Sequence, residues 1–551
     1  MEKDRTTPST PGSWPAAWAW MVAAFAATAI GLALRFALVS CQGLWLDEVF
    51  SLALATGHSL EHPASAADPS EGDFVETPTP ETAAQLARYT SHESPPASLG
   101  RVVRAVKHSD TNPPLYYILL SIWTRFCGTS DLALRGFSVF MWMLCLPLVW
   151  ALGRQMGGRR PALIALALFC LSPCAIYFST EGRMYSLLWF FCLSAAVLTL
   201  DISDKGWSVV RGATWAIVCA GGLLTHYFFF LIWFVFGWWI LADIRGKIGI
   251  QGLLAILLVG LFMLPWALIV PDTLNQWRIS DGWLAGRPAW LSLLASPFYL
   301  GWSTLTARGP WSDPNWVHGG WSEIVLGAGL LAPAGAFLLG IKNRVLGRLH
   351  WLLFFWCLAA CVQPALFDLV RNTQTSLVPR YVLPGLPAIV LLLAWAMSRL
   401  NTSLLMGCAT LILAGWLLGG GQLYERAGRM DNPMRMAAAD LDRFSERGDL
   451  VLIHSIPSGV LGMARYLDPR TRMASWVSQL NVRKLPDDLV RLSRGHSRVV
   501  LVTINPFGGP TPEKEWLTRN SKLNTQHRWL SIDAYVFAWP AATTNTLPRG
   551  E

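Results

Sequence analysis

Charge is what this chain has least of. Asp, Glu, Lys and Arg make up 14% of its 551 residues while 53% are hydrophobic, and a soluble globular protein carries about 25% charged residues. One soluble core is excluded, because apolar runs near the roughly 20 residues that cross a bilayer recur along the sequence. Cysteine is present but unpatterned. None of the ten Cys sits in a CxxC pair and none follows Cys408, so neither a disulfide framework nor a zinc site is supported, and they read as small buried hydrophobes. No basic–aromatic nucleic-acid module occurs. The formal charge of +9 therefore reads as a topology signal and lipid-headgroup contact, with no nucleic acid as partner. No small-residue cleavage site follows the first apolar run, which reads as a retained helix. The Asn-x-Ser/Thr sequence at Asn401 falls on the side assigned to the cytoplasm, in keeping with a bacterial inner membrane.

Basic clusters at Lys3/Arg5, Arg154/Arg159/Arg160, Lys205/Arg211, Arg245/Lys247, Lys342/Arg344/Arg348 and Arg399 mark the cytoplasmic side. Alternation from there predicts eleven spans, over residues 16–39, 131–152, 161–179, 184–200, 212–224, 227–242, 248–270, 321–341, 349–366, 381–398 and 403–420. The N-terminus is then cytoplasmic and the C-terminal domain extracytoplasmic. Residues 113–127 and 289–300 are short for a crossing and read as interfacial helices. The expected fold is an α-helical polytopic membrane protein of about eleven transmembrane helices plus interfacial helices, with a C-terminal extracytoplasmic α/β domain. Its parts are a cytoplasmic tail (1–15), a transmembrane domain (16–423) with outer loops at 41–130 and 271–320, the α/β domain (424–541) and a tail (542–551).

The middle of the first outer loop, 61–96, is rich in Pro, Ser, Glu and Thr, and residues 41–112 hold ten acids against four bases. It reads as a mobile flap or an insertion with a surface role. Trp277, Trp283, Trp290, Trp302, Trp311 and Trp316 in the second outer loop read as headgroup-zone anchors. Beyond residue 424, strand-like runs at 450–454, 498–504 and 529–537 alternate with helical patterns at 434–445, 486–492 and 512–518. That domain has no Gly-rich phosphate loop and no nucleophile elbow, so no catalysis is expected of it.

The informative polar residues gather at the outer ends of the spans. Leu44-Trp45-Leu46-Asp47-Glu48 follows the first span, and two adjacent carboxylates at a membrane surface are costly. Asp110 and Asn112 open the first interfacial helix. Glu181, Arg183 and Tyr185 lie in the Thr180–Ser186 turn, His226 and Tyr227 in the next outer turn, and Arg380 with Tyr381 at the start of the tenth span. A transporter places ionisable groups near the midplane; a set confined to one face fits an enzyme acting on a lipid-borne phosphate. Arg183 and Arg380 offer fork geometry for phosphate oxygens, and Asp47 a base for an acceptor hydroxyl. Structural readings stand beside these: a local Glu181–Arg183 ion pair, aromatic-belt roles for Tyr185 and Tyr381, a satisfied His226, and snorkelling by Arg380 and Arg35. Pro384 and Pro387 are expected to bend the tenth span.

Those residues carry a family resemblance. The Trp-Leu-Asp-Glu element resembles the Asp-Glu motif in the first outer loop of GT-C membrane glycosyltransferases, nearest the protein O-mannosyltransferase and lipid A aminoarabinose transferase branch. Asp110-Thr111-Asn112-Pro113-Pro114-Leu115-Tyr116-Tyr117 is similar to that branch's Asp-x-His-Pro-Pro-Leu-Tyr element, with Asn112 where the family has His. Leu134-Arg135-Gly136-Phe137-Ser138 with Gly153-Arg154, the run from Ser172-Pro173 through Tyr177 to Tyr185, Thr225-His226-Tyr227 and Pro379-Arg380-Tyr381 continue the series in order.

The resemblance implies inverting transfer of a sugar from a polyprenyl-phosphate donor to a protein, lipid or glycan acceptor on the extracytoplasmic face. Catalytic residues are expected to be Asp47, Glu48 and Asp110, with Asp47 the base. Substrate contacts are expected from Asn112, Glu181, Arg183, Tyr185, His226, Arg380 and Tyr381. No cofactor is required; a divalent metal, if one binds, would sit at Asp47 and Asp110. The rival readings are a lipid-linked-sugar flippase or transporter, and a non-catalytic envelope scaffold.

Overall fold

A computed structural model describes residues 14–41, 43–62, 64–110, 112–242, 249–269, 284–286, 288–306, 320–425, 433–446, 448–504 and 511–539. Among them, eight helices are long and apolar enough to cross a membrane: Met21–Val39, Asp131–Gln155, Tyr185–Lys205, Ile250–Ala267, Trp321–Lys342, Arg348–Arg371, Pro379–Ser398 and Thr402–Gly419. In hydrocarbon every backbone N–H and C=O must be satisfied within the chain, and a helix does so by itself. The pair Arg159–Leu171 and Pro173–Ser179, bent by 58°, makes a ninth if the two are counted as one broken span. Pro173 has no N–H with which to continue the first helix. The Ser172 hydroxyl starts the second by accepting from Ala175 N at 3.4 Å. Leu115–Cys127, Val209–Thr225 and Tyr227–Ala242 are shorter apolar helices, and the expected eleven crossings need the last two as well.

Small residues let the spans approach closely, as apolar helices in a lipid solvent require. A Cβ on Gly31 would lie 2.6 Å from the Cys170 carbonyl oxygen, and one on Gly153 would lie 2.6 Å from Ala162 Cα. Arg35 does not snorkel. Its guanidinium is fully buried and donates to Ser179 Oγ (2.7 Å), Gly31 O (2.8 Å) and Cys170 O (2.9 Å), with Cζ 3.5 Å from the Trp142 ring centroid. Three acceptors and an aromatic face supply inside the bundle what the headgroups were expected to supply.

A six-stranded sheet stands at the end of the bundle where the Met21–Val39 helix finishes. Its strands are β1 (Glu81–Thr82), β2 (Leu450–His454), β3 (Arg472–Trp476), β4 (Arg498–Ile504), β5 (Lys522–Trp529) and β6 (Ile532–Ala538), in the order β1-β3-β2-β4-β6-β5. β2 runs parallel to β3 and β4, while β6 is antiparallel to β4 and β5. The run expected as one strand at 529–537 turns at Leu530, where φ is 41°, and becomes the end of β5 and most of β6.

β1 comes from the first outer loop, which is no flap. It pairs antiparallel with β3, Glu76 Oε1 accepts from Val477 N at 3.0 Å, and Arg483 Nη2 donates to Thr77 O at 2.7 Å. Within the loop Arg104 forks onto Asp73 (2.8 and 2.9 Å) and Arg101 onto Glu93 (2.7 and 2.6 Å), while Phe74 and Tyr89 meet edge to face at 5.2 Å. The composition read as mobile because a count of acids and bases does not show which of them pair, and Arg101 and Arg104 of the Leu99–Ser109 helix each fork onto an acid of the loop. In the second outer loop, Trp277, Trp283, Trp311 and Trp316 lie outside the described residues. Trp290 is exposed on the Trp290–Ser303 helix beside exposed Leu291, Leu294 and Phe298.

Candidate active site

Asp47 and Glu48 occupy the first turn of the Leu46–Ala55 helix, where acids favour the unpaired N–H groups and the helix dipole. Trp45 precedes it in extended conformation (φ −97°, ψ 173°). Glu48 reaches back to accept the Trp45 N–H at 3.2 Å, the acidic half of a capping box. Neighbouring helical residues point about 100° apart, and the two carboxylates meet different surroundings.

Glu48 is saturated. Oε1 accepts from Arg135 Nε and from Gly182 N, both at 2.7 Å, and Oε2 accepts from Arg135 Nη2 at 2.6 Å in addition to Trp45 N. Its side chain is 1% exposed. Arg135 Nη2 also holds Gly43 O at 2.7 Å. This carboxylate fastens the helix start to the Asp131–Gln155 helix and to the Thr180–Met184 turn.

Asp47 faces the other way with a third of its side chain exposed (33%), and Oδ2 lies 3.3 Å from Arg380 Nη1. Arg183 holds the helix around it: Nη1 donates to Ser51 Oγ at 2.9 Å and lies 3.4 Å from both Asp47 O and the Tyr117 hydroxyl. Its Nε is buried without a hydrogen-bond partner. The expected Glu181–Arg183 ion pair is not among the described salt bridges.

Asp110 is buried. Oδ2 accepts from the Tyr117 hydroxyl, while Oδ1 accepts from Asn112 N at 3.2 Å and Asn112 Nδ2 at 3.1 Å. Where the resemblance has His, the amide of Asn112 thus turns back to steady Asp110. Tyr117 links this acid to Arg183 and so to the Asp47 helix.

Glu181 is buried with Oε2 unpartnered. Burial, then the negative charge of Glu48, push its carboxyl from the ordinary 4.5 up to about 8, against the pull of Arg183. His226 Nδ1 accepts from Phe228 N at 3.1 Å. Burial, reinforced by the positive charges of Arg183 and Arg380, pushes this imidazole down to about 3, so it is neutral. Its ring lies 6.4 Å from that of Tyr381. Tyr185 is buried edge-on against Phe178 at 5.0 Å.

Arg380 is placed by prolines. Residues Pro379–Gly385 form a 3₁₀ stretch ahead of the Leu386–Ser398 helix. Pro387 lacks the N–H that would serve the Leu383 carbonyl four residues back. The Leu386 N–H of the 3₁₀ turn and the Trp189 indole N–H (2.7 Å) serve it instead, and Trp356 serves the Pro384 carbonyl at 2.9 Å. The Arg380 guanidinium lies 5.5 Å from the Tyr381 ring centroid.

The structure therefore brings Asp47, Glu48, Asp110, Asn112, Glu181, Arg183, Tyr185, His226, Arg380 and Tyr381 to one end of the bundle. Sequence reasoning missed Arg135, Ser51 and Tyr117. Arg135 alone carried a signal, a cation in the second turn of an apolar span. Among the described residues no three His, Cys, Asp or Glu side chains are grouped as a metal site requires.

No protein-family model matches the chain, and no curated protein sequence matches it. Two solved structures match over nearly its whole length. ArnT from Cupriavidus metallidurans in the apo state has 12% identity and a TM-score of 0.57, covering 95% of this chain and 98% of that one. ArnT from Cupriavidus metallidurans bound to undecaprenyl phosphate has 12% identity and a TM-score of 0.54, covering 94% and 98%. The chain has the fold of these ArnT structures.

Proposed function

We propose that this chain is an inverting glycosyltransferase of the inner membrane, moving a sugar from a polyprenyl-phosphate carrier to an envelope acceptor on the extracytoplasmic face, with its N-terminus cytoplasmic. The observation that carries the reading is Asp47: a partly exposed carboxylate, 3.3 Å from an arginine, beside Glu48 and Asp110, which are buried in structural contacts. Asp47 takes the proton of the acceptor hydroxyl, whose oxygen attacks the anomeric carbon. The bond from that carbon to the phosphate oxygen breaks, and the polyprenyl phosphate leaves with its electron pair. Arg380 meets the developing phosphate charge, exchanging Asp47 for the phosphate, with Arg183 behind it. His226 and protonated Glu181 add neutral hydrogen-bonding capacity. Glu48 and Asp110 hold the helix and Arg183 in place and take no proton. The scheme requires no metal, and the fold match to an ArnT structure bound to undecaprenyl phosphate supports the carrier class.

Purified protein supplied with radiolabelled polyprenyl-phosphate sugars and a membrane acceptor extract tests this. Asp47→Asn is expected to lower turnover by about 10²–10⁴-fold, the range for a positioned base, with the fold intact. Undiminished transfer in that variant removes Asp47 from the mechanism. Carrier movement across vesicles without label transfer favours the transporter reading.

A further inference from the structure

We propose that Tyr466, in the C-terminal domain, is a positioning residue for the helix bearing Asp47, so that this domain is a working part of the active site. The inference rests on the transferase reading only in taking Asp47 as the reacting group.

The Pro457–Tyr466 helix lies directly on the Leu46–Ala55 helix. A Cβ on Gly462 would lie 3.5 Å from Val49 Cγ2, and one on Gly43 would lie 3.4 Å from the Tyr466 ring. The Tyr466 hydroxyl accepts from the Leu44 N–H at 2.6 Å and donates to Asp131 Oδ2 at 2.7 Å. Leu44 is fully buried and precedes the helix, so its N–H has no turn of its own to satisfy it. Asp131 is fixed in turn by Arg465 Nε (2.8 Å) and Arg435 Nη2 (2.6 Å).

Asp131 and Arg135 are four residues apart and share one face of their helix. Arg135 grips the 43–48 segment through Gly43 O and Glu48; Asp131 grips it through Tyr466 at Leu44. Asp47 lies within the clamped segment. Its carboxylate makes one long contact, to Arg380, so its placement comes from the backbone that carries it. Displacing a catalytic group by about 1 Å costs on the order of 10²-fold in rate. Beside the Asp131 cluster is an open cleft of about 710 Å³ whose lining includes Val39, Leu132 and Tyr466. Packing does not buttress the cluster from that side, and the hydroxyl contacts carry the restraint.

The test uses the full chain in lipid nanodiscs with Tyr466→Phe, which keeps the ring and removes the hydroxyl. Arg483→Gln serves as control, because it loosens the same domain's contact with Thr77 and Glu76 and leaves the Leu44–Tyr466–Asp131 link. In Tyr466→Phe, turnover is expected to fall at least tenfold while KM for the lipid donor stays within threefold, and amide exchange at residues 44–48 is expected to quicken. Arg483→Gln is expected to keep turnover within threefold of the parent. Unchanged exchange at 44–48 in Tyr466→Phe overturns the proposal, as does full turnover despite quickened exchange, or an equal loss in Arg483→Gln. An inactive parent protein would refute the transferase reading instead, and amide exchange would then decide the positioning claim by itself.

Discussion

Removing either half of the Glu48–Arg135 pair is predicted to be worse than removing both. The two side chains are 1% and 3% exposed, so Glu48→Ala takes from the buried guanidinium the carboxylate that accepts from both its Nε and its Nη2. Breaking a buried pair from one side costs about 3–5 kcal/mol, because the surviving charge is uncompensated. Arg135→Ala should sit at the lower end of that range, since Gly182 N and Trp45 N still solvate the carboxylate. In the double variant no charge is stranded, and the residual cost is two backbone donors, one carbonyl and a cavity. The expected coupling is favourable by at least about 2 kcal/mol. A thiol-reactive fluorophore on the detergent-solubilised protein reads unfolding directly, because Cys145, Cys192 and Cys219 are buried free thiols. The double variant should melt above Glu48→Ala, and Asp47→Asn should melt with the parent. Single variants indistinguishable from the parent, or a double variant whose loss equals the sum of the singles, would refute the structural role assigned to Glu48.

Three further outcomes are expected. Glu181 is protonated in the folded protein up to about pH 8 but ionises near 4.5 when unfolded. Between those values the folded state binds the extra proton, so stability falls as pH rises; Glu181→Gln should match the parent at pH 5 and exceed it at pH 8.5 in melting temperature, and a constant difference would contradict the assignment. Trp189→Phe leaves the Leu383 carbonyl with the Leu386 N–H of the 3₁₀ turn alone, and should cost about 0.5–1.5 kcal/mol and lower turnover through Arg380. Arg35→Ala should destabilise by about 2–4 kcal/mol through lost packing on Trp142 and lost hydrogen bonds. Arg35→Lys should recover little of it, because one ammonium nitrogen cannot stand at both the Nε position that reaches Ser179 and the Nη1 position that reaches the Gly31 and Cys170 carbonyls, and full recovery would refute the geometric reading of that site.

Much of the bundle was legible because hydrophobic run length is a local property. The distortion ahead of Pro387 was likewise legible in a residue without an N–H, whereas the span expected as one helix over 161–179 breaks at Pro173. The strands β2 and β4 showed as apolar runs, but β1 did not. Two residues form it, and they become a strand by pairing with β3 across about 390 positions of sequence. The Pro457–Tyr466 helix escaped notice because its two glycines and proline argue against a helix, whereas Gly459 makes room for Ser455 and Gly462 makes room for Met434 beside Val49 of the Asp47 helix. Arg35 was misread for a related reason: a cation in a span's last turn has headgroups as its default partners, and Ser179 and Cys170 become alternatives once the bent span packs beside it.

The sequence by itself determined that this is a membrane bundle with its ionisable groups at span ends, since solvent chooses between apolar and charged segments without regard to distant neighbours. It also placed Asp47 and Glu48 together at a helix start. Which of these two acids is free to react was decided by the tertiary structure alone. Successive residues on a helix point to different neighbours, and Arg135, Gly182 and Arg380 arrive there from elements 87, 134 and 333 positions away. One carboxylate is consumed by that convergence, and the other is left partly open.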